Sequence, residues 1–392
     1  MAEVMSGGSD RPPRRWTGVV AALVLAAGVV GYLASHNSGS GHPSAHPSPP
    51  LAPTRSERPQ PPGLSGPSPT TAEIGHRILG VTARWELFGR GDGFVVRIQP
   101  ARGLVTRTGV PILDSGGPVS FYAGPAQVIV RPLDTVTGYV VPDGQPAQDA
   151  PGDLANGGPL LAGPDPGHVW VPVGDGDRAT MTLVGMDGRP TRTFVPLPED
   201  LNGFTRSDQL GYLLFTGTGG VYDVRPTGPR GESEQKSAVR RVTAGALLAA
   251  GPTRWLTREC DERGRCTTVV TDRRTGHRRS LGHLAALPGA MEGGVIAPDG
   301  SYAAVLRPDS QSGEVTVQLV SLASGAEHAV DVPLDQQSIQ AGTIVWSPDS
   351  RWLFVAGAHG ELSVVDARTA AVRDLGVQIP PVVQLAIRNP VR

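Results

Sequence analysis

The stretch Asp272-Arg273-Arg274-Thr275-Gly276 returns as Ser321-Leu322-Ala323-Ser324-Gly325 and again as Asp366-Ala367-Arg368-Thr369-Ala370, at steps of 49 and 45 residues. Asp134-Thr135-Val136-Thr137-Gly138 stands three such steps upstream. Each copy closes an apolar, β-branched run, such as Thr268-Val269-Val270 or Leu362-Ser363-Val364-Val365. Asp or Ser at the head of such a phrase hydrogen-bonds the backbone two residues on, and Gly at its end takes a positive φ without steric cost. The phrase is therefore a strand-ending turn. A period of about 40–50 residues is the mark of a propeller-like array.

Working outward, turns that would end the third strand of a blade fall near Ala101-Arg102-Gly103, Asp134 to Gly138, Asp187-Gly188, Asp223 to Gly228, Asp272 to Gly276, Ser321 to Gly325 and Asp366 to Ala370. These seven turns predict an all-β, seven-bladed β-propeller over residues 77–392. A second phrase agrees. Pro298-Asp299-Gly300-Ser301-Tyr302 and Pro348-Asp349-Ser350-Arg351-Trp352 are 50 residues apart, each between two apolar strands. Pro164-Asp165-Pro166-Gly167 is a degenerate third copy.

The strand–Pro-Asp-Gly–strand unit resembles the repeats of TolB-type and WD40-like bacterial propellers, well over residues 290–376 and loosely over 77–289. The Gly-His…Trp-Asp hallmark of eukaryotic repeats is absent. The resemblance implies a propeller that binds partners, with an enzyme as the rarer case. The ends suggest how the ring closes. Val382-Val383-Gln384-Leu385-Ala386-Ile387 reads as an inner strand with no blade of its own, and Arg84-Trp85-Glu86-Leu87-Phe88 as a second strand lacking an inner partner. Pairing them leaves no open edge.

The N-terminal region reads differently. Trp16 to Ser35 is free of charge and follows Arg11, Arg14 and Arg15. Twenty helical residues span about 30 Å, a bilayer core. The charge bias predicts a cytoplasmic tail over 1–15, a membrane helix over 16–35, and the remainder outside the cell membrane. Residues 36–76, rich in Pro, Ser and Gly, form a linker whose reach is on the order of 110 Å. His42 and His46 within it have no Cys or carboxylate nearby to complete a metal site.

Gly 52 and Pro 38 make up nearly a quarter of the 392 residues, which disfavours helices, and the net charge is −1. Nothing global attracts nucleic acid, and none is expected as a partner. Lys236 is the sole lysine, the coding bias of a high-GC genome such as an actinobacterial one.

Candidate site residues are few. Cys260 and Cys266 flank the polar tip Asp261-Glu262-Arg263-Gly264-Arg265 and, outside the membrane, pair as a disulfide. Around them stand eight arginines within 26 residues, among them Arg273, Arg274, Arg278 and Arg279. They form either a solvated face or a contact for an anionic partner such as lipid headgroups, wall polymer or acidic protein. Gly174-Asp175-Gly176-Asp177 lacks the carboxylate run and closing Glu of a calcium loop. There is no Gly-x-Ser-x-Gly elbow, no His-Glu-x-x-His, and no cofactor motif. Catalytic, cofactor and metal residues are accordingly expected to be none. The expected function is a membrane-anchored module that binds or scaffolds a protein, wall or ligand partner. A propeller hydrolase or sugar-acting enzyme, with carboxylates at the central channel, is the alternative.

Overall fold

The computed structural model describes residues 67–111, 118–133, 137–155, 158–173, 180–196, 205–207, 213–217, 219–227, 236–281, 289–309, 312, 314–336 and 339–389. The expected cytoplasmic tail, apolar span and most of the linker lie outside these residues, as do Gly174 to Asp177 and Asp134 to Val136. Among the described residues no helix is long and apolar enough to cross a membrane.

The chain is built of short strands. The first four are β1 (Thr70–Glu73), β2 (Glu86–Gly91), β3 (Phe94–Gln99) and β4 (Leu104–Gly109). Next come β5 (Val119–Ala123), β6 (Gln127–Pro132), β7 (Tyr139–Pro142) and β8 (Gln148–Asp149), then β9 (Leu161–Ala162), β10 (His168–Val173), β11 (Thr180–Gly185) and β12 (Pro190–Pro196). β13 (Thr205–Ser207), β14 (Leu213–Gly217), β15 (Gly220–Thr227) and β16 (Lys236–Thr243) follow, and then β17 (Ala246–Ala250), β18 (Arg254–Cys260), β19 (Cys266–Asp272) and β20 (Arg278–Ser280). The last are β21 (Met291–Ile296), β22 (Tyr302–Pro308), β23 (Glu314–Ser321), β24 (Glu327–Asp335), β25 (Ile344–Trp346), β26 (Trp352–Ala356), β27 (Leu362–Asp366), β28 (Val372–Arg373) and β29 (Gln384–Arg388).

This is an all-β propeller. β5–β8, β9–β12, β13–β16 and β25–β28 form antiparallel sheets of four strands in sequence order. Seven separate blades are not what the hydrogen bonds give. Among the described residues there are six sheets, because β17 and β21 pair in parallel (Ala249 opposite Gly294, Ala250 opposite Val295) and join two four-stranded runs into one of eight. Gly294 permits this: a Cβ there would lie 2.5 Å from the Leu248 carbonyl oxygen. Strand structure also begins at Thr70, inside the expected linker, where β1 adds an outer strand to β4.

Apolar clusters run from each sheet to the next and return to the start. Phe88 and Val95 meet Val128 and Val130; Ile129 and Val140 meet Val169 and Val171; Trp170 and Leu183 meet Leu213 and Phe215; Leu214 and Val221 meet Leu247 and Trp255. Leu248 and Leu256 face Val305 and Val320 across the two halves of the eight-stranded sheet. Val317 and Leu319 meet Leu353 and Val355, and Trp352 and Phe354 pack on Trp85 and Leu87. A middle strand such as β26 is covered on both sides and buried at all five positions, whereas the outermost β24 alternates exposed and buried.

The ring is shut by the chain's ends. β29 lies antiparallel to β2, with Arg388 opposite Glu86 and Gln384 opposite Arg90. The first sheet thus reads β1-β4-β3-β2-β29, as expected from the unpartnered terminal runs, although the strand starts at Gln384 rather than Val382.

Five of the seven expected turns join a third strand to a fourth; two do not. The Asp134 to Gly138 stretch falls between β6 and β7, a second and a third strand. Asp223 lies within β15, its carboxylate buried and paired with Arg225 at 2.8 Å and Arg240 at 3.3 Å instead of heading a turn. The true turn phrases share one left-handed residue: Gly276 (φ 72°), Gly325 (φ 77°) and Ala370 (φ 55°). The Pro-Asp-Gly units join first strands to second, and their third residue is left-handed too, at Gly300 (φ 75°) and Ser350 (φ 61°).

Candidate functional site

The closing strands create a charged cavity of about 750 Å³ beside them. Glu86 opens β2 directly across from Arg388, and Arg97 and Gln99 project from one face of the adjoining β3 because they are two residues apart. Asp143, in the turn after β7 of the next sheet, completes the group.

The geometry is tightly cross-linked. Arg97 donates to both Glu86 oxygens, Nε to Oε2 at 3.0 Å and Nη2 to Oε1 at 2.6 Å. Gln99 Nε2 adds a bond to Oε1 at 2.6 Å, and Arg388 Nη1 one to Oε2 at 2.9 Å. Arg388 Nη1 also reaches Asp143 Oδ2 at 2.8 Å, and Arg97 Nη2 reaches the same oxygen at 3.0 Å. The Arg388 guanidinium stands 4.6 Å from the Phe88 ring centroid, a cation–π contact. Burial alone would raise the Glu86 pKa. The hydrogen bonds from Arg97 and Gln99 and the charges of Arg97 and Arg388 outweigh it and hold the carboxyl below its ordinary value.

The cavity rim is basic. Arg77, Arg84 and Arg102 line it and are exposed, and their side chains make no ion pair or hydrogen bond with the described residues. Their backbone is nevertheless fixed. Ile74 N–H bonds the Gly103 carbonyl at 2.8 Å and Ile78 N–H the Pro100 carbonyl at 3.0 Å, clamping the entering segment to the β3–β4 turn. Gly103 (φ 62°) allows that approach, since a Cβ there would lie 2.1 Å from the His76 carbonyl oxygen. Trp85, which follows Arg84 in the chain, is 1 % exposed and packs in the core against Phe354.

The β18–β19 hairpin carries the cysteines. Cys260 and Cys266 are cross-strand partners with Cα atoms 3.8 Å apart and form a disulfide. The hairpin's arginines are placed less openly than their number suggests. Arg273 is 5 % exposed, so it is no surface contact. It follows the strand's last residue and turns inward, Nη1 donating to the Gly251 carbonyl at 2.9 Å and the guanidinium sitting 4.9 Å from the Trp255 ring centroid. Arg278 is exposed but paired with Glu259, and Arg279 donates to the carbonyls of Leu322 and Ala323 on the neighbouring half-sheet. Arg274 is exposed beside the Asp272 carboxylate.

Each carboxyl with a clear shift is lowered. Glu259 is held down by Arg278 and the Thr243 hydroxyl against its own burial, Asp261 by the Arg265 backbone and side chain, and Asp272 by the Thr275 backbone and hydroxyl. Among the described residues no three His, Cys, Asp or Glu side chains cluster as metal ligands.

No family model matches the chain, and no curated protein does. Solved structures similar to it include apo AztD from Citrobacter koseri, 12% identical with a TM-score of 0.46, covering 79% of this chain and 98% of that one. TolB from Acinetobacter baumannii is 15% identical with a TM-score of 0.41, over 78% and 82% of the two chains. A puromycin-hydrolyzing peptidase of Mycobacterium tuberculosis is 15% identical with a TM-score of 0.46, over 80% of this chain and 56% of its own. These are likenesses of overall fold, and the site rests on the chain's own residues.

Proposed function

We propose that this chain is a single-pass, membrane-anchored propeller that binds or scaffolds a partner outside the cytoplasmic membrane. Residues 1–15 remain inside, residues 16–35 span the bilayer, and the linker carries the ring outward. The eight-stranded sheet counts as two adjacent blades in this reading, which makes seven. The partner is a protein, a wall component or a ligand.

The observation that carries the reading is the state of the carboxylates at the seam cavity. Glu86 is saturated by Arg97, Gln99 and Arg388 and held low, and Asp143 is paired with Arg97 and Arg388. A general acid needs a carboxyl raised toward the working pH. The cavity therefore suits recognition rather than proton transfer. A direct test is to cross-link the full chain in its own membranes and identify what is joined to residues around the cavity. A single partner joined at fixed stoichiometry supports the reading. Hydrolysis of a lactone, glycoside or peptide by the purified chain, abolished by Glu86→Gln, overturns it.

A further inference from the structure

We infer that the seam cavity is a binding site for a small soluble polyanion, one carrying phosphate or carboxylate groups; this rests on the binding reading above and names the ligand class. The first support is the charge balance. Five arginines line the cavity against two carboxylates, Glu86 and Asp143. Arg97 and Arg388 are spent on those carboxylates, which leaves Arg77, Arg84 and Arg102 at the rim with no acidic partner among the described residues.

The second support is how the cavity's own carboxylate is occupied. Glu86 takes four hydrogen bonds, from Arg97 twice, Gln99 and Arg388, so it does not compete for the rim arginines. Guanidinium forks bind carboxylate and phosphate oxygens in pairs.

Size and rigidity decide between a solute and a surface. A volume of about 750 Å³ lies within the range of small-molecule sites, about 300–1,000 Å³. The backbone beside Arg77 and Arg102 is held by the clamp between the 74–78 segment and the β3–β4 turn. With three unpaired positive charges, a ligand of two or three negative charges neutralises the rim.

The test is calorimetric titration of the full chain in detergent with inorganic phosphate, pyrophosphate and citrate, beside the triple variant Arg77→Gln, Arg84→Gln, Arg102→Gln. These side chains make no ion pair or hydrogen bond with the described residues, so the variant is expected to keep the parent's melting temperature and binding is read on a folded protein. Saturable binding of at least one anion, weakened about tenfold or more in the variant, is the expected result; loss of one charge-assisted contact already amounts to about that factor. Absence of saturable binding for all three anions, or equal binding by parent and variant, overturns the proposal. So does Arg-dependent retention on phosphatidylglycerol vesicles with no response to the soluble anions, which would make the rim a lipid contact. A partner cross-linked in membranes while the soluble anions fail would leave the binding reading standing and remove only this inference.

Discussion

Arg388, on the last strand, donates from Nη1 to Glu86 Oε2 at 2.9 Å across 302 residues of chain. The bond sits at the end of the β29–β2 ladder, so it fastens the same seam that the backbone closes. Arg388 is 6 % exposed and Glu86 12 %. Removing one partner of a buried ion pair leaves the other charge uncompensated, at a cost of about 3–5 kcal/mol. Arg388→Met is expected to cost about 3 kcal/mol, the lower figure because Asp143 is partly open to water and can be rehydrated. Urea unfolding of parent and variant measures the difference.

The same carboxylate makes the seam sensitive to acid. The folded-state pKa of Glu86 lies below its ordinary value. Its contribution to stability is therefore fully present above the ordinary glutamate range, near 4.5, and is lost as pH falls through the folded value. Glu86→Gln, with no proton to gain, is expected to show a flatter fall in melting temperature below about pH 4.5 than the parent. Parallel curves would mean that other groups govern the acid transition.

Reduction tests the hairpin. Cys260 and Cys266 close a loop of seven residues, worth about 2 kcal/mol in the chain-entropy account. Intact mass is expected to rise by about two hydrogen masses on reduction. The melting temperature of Cys260→Ser, Cys266→Ser is expected to fall modestly while the cooperative transition remains.

Ala370 occupies a left-handed position that Gly276 and Gly325 fill in the sister turns. An L side chain there costs about 1–2 kcal/mol, and glycine's extra unfolded-state entropy offsets about 0.5–1 kcal/mol of it. Ala370→Gly is expected to stabilise the domain by about 0.5 kcal/mol. Gly276→Ala, where a Cβ would meet nothing within 4 Å, is expected to destabilise it by about 1 kcal/mol through φ alone. Thermal melts of the two variants check the opposite signs.

The proposed topology predicts that protease added to intact spheroplasts digests residues 36–392 and leaves a short membrane-bound stub. Full protection, or a mature N-terminus beyond residue 30, would place the ring elsewhere or free it from the membrane.

What could be read in advance was what local chemistry encodes. The turn phrase at Asp272, Ser321 and Asp366 needs only its own backbone, and the cysteines face each other because a two-stranded hairpin sets them opposite. Asp134 and Asp223 carry the same letters without the same role; long-range partners, Arg225 and Arg240 for Asp223, decide theirs. Gly124-Pro125 and Gly251-Pro252 join first strands to second as Ala297-Pro298 and Ser347-Pro348 do, yet lack the Asp that follows those two. The arginine count around the hairpin was visible, whereas the burial of Arg273 under Trp255 was not, since Gly251 and Trp255 reach it only through the fold. The seam cavity left no motif at all. Its residues come from the entering segment, β2, β3, the turn after β7 and β29, and no spacing connects them.

The central claim is a ring closed by its own C-terminus, with the binding cavity built on that closure. Thermal unfolding of the chain lacking residues 380–392, beside the full chain, tests it most directly. The deletion removes β29 and with it Arg388 and Gln384, opens the edge of β2 and uncovers Trp85 and Leu87. The account predicts loss of the cooperative transition, or aggregation, in the truncated chain. A truncated chain that melts at the parent's temperature with the same cooperativity would contradict it.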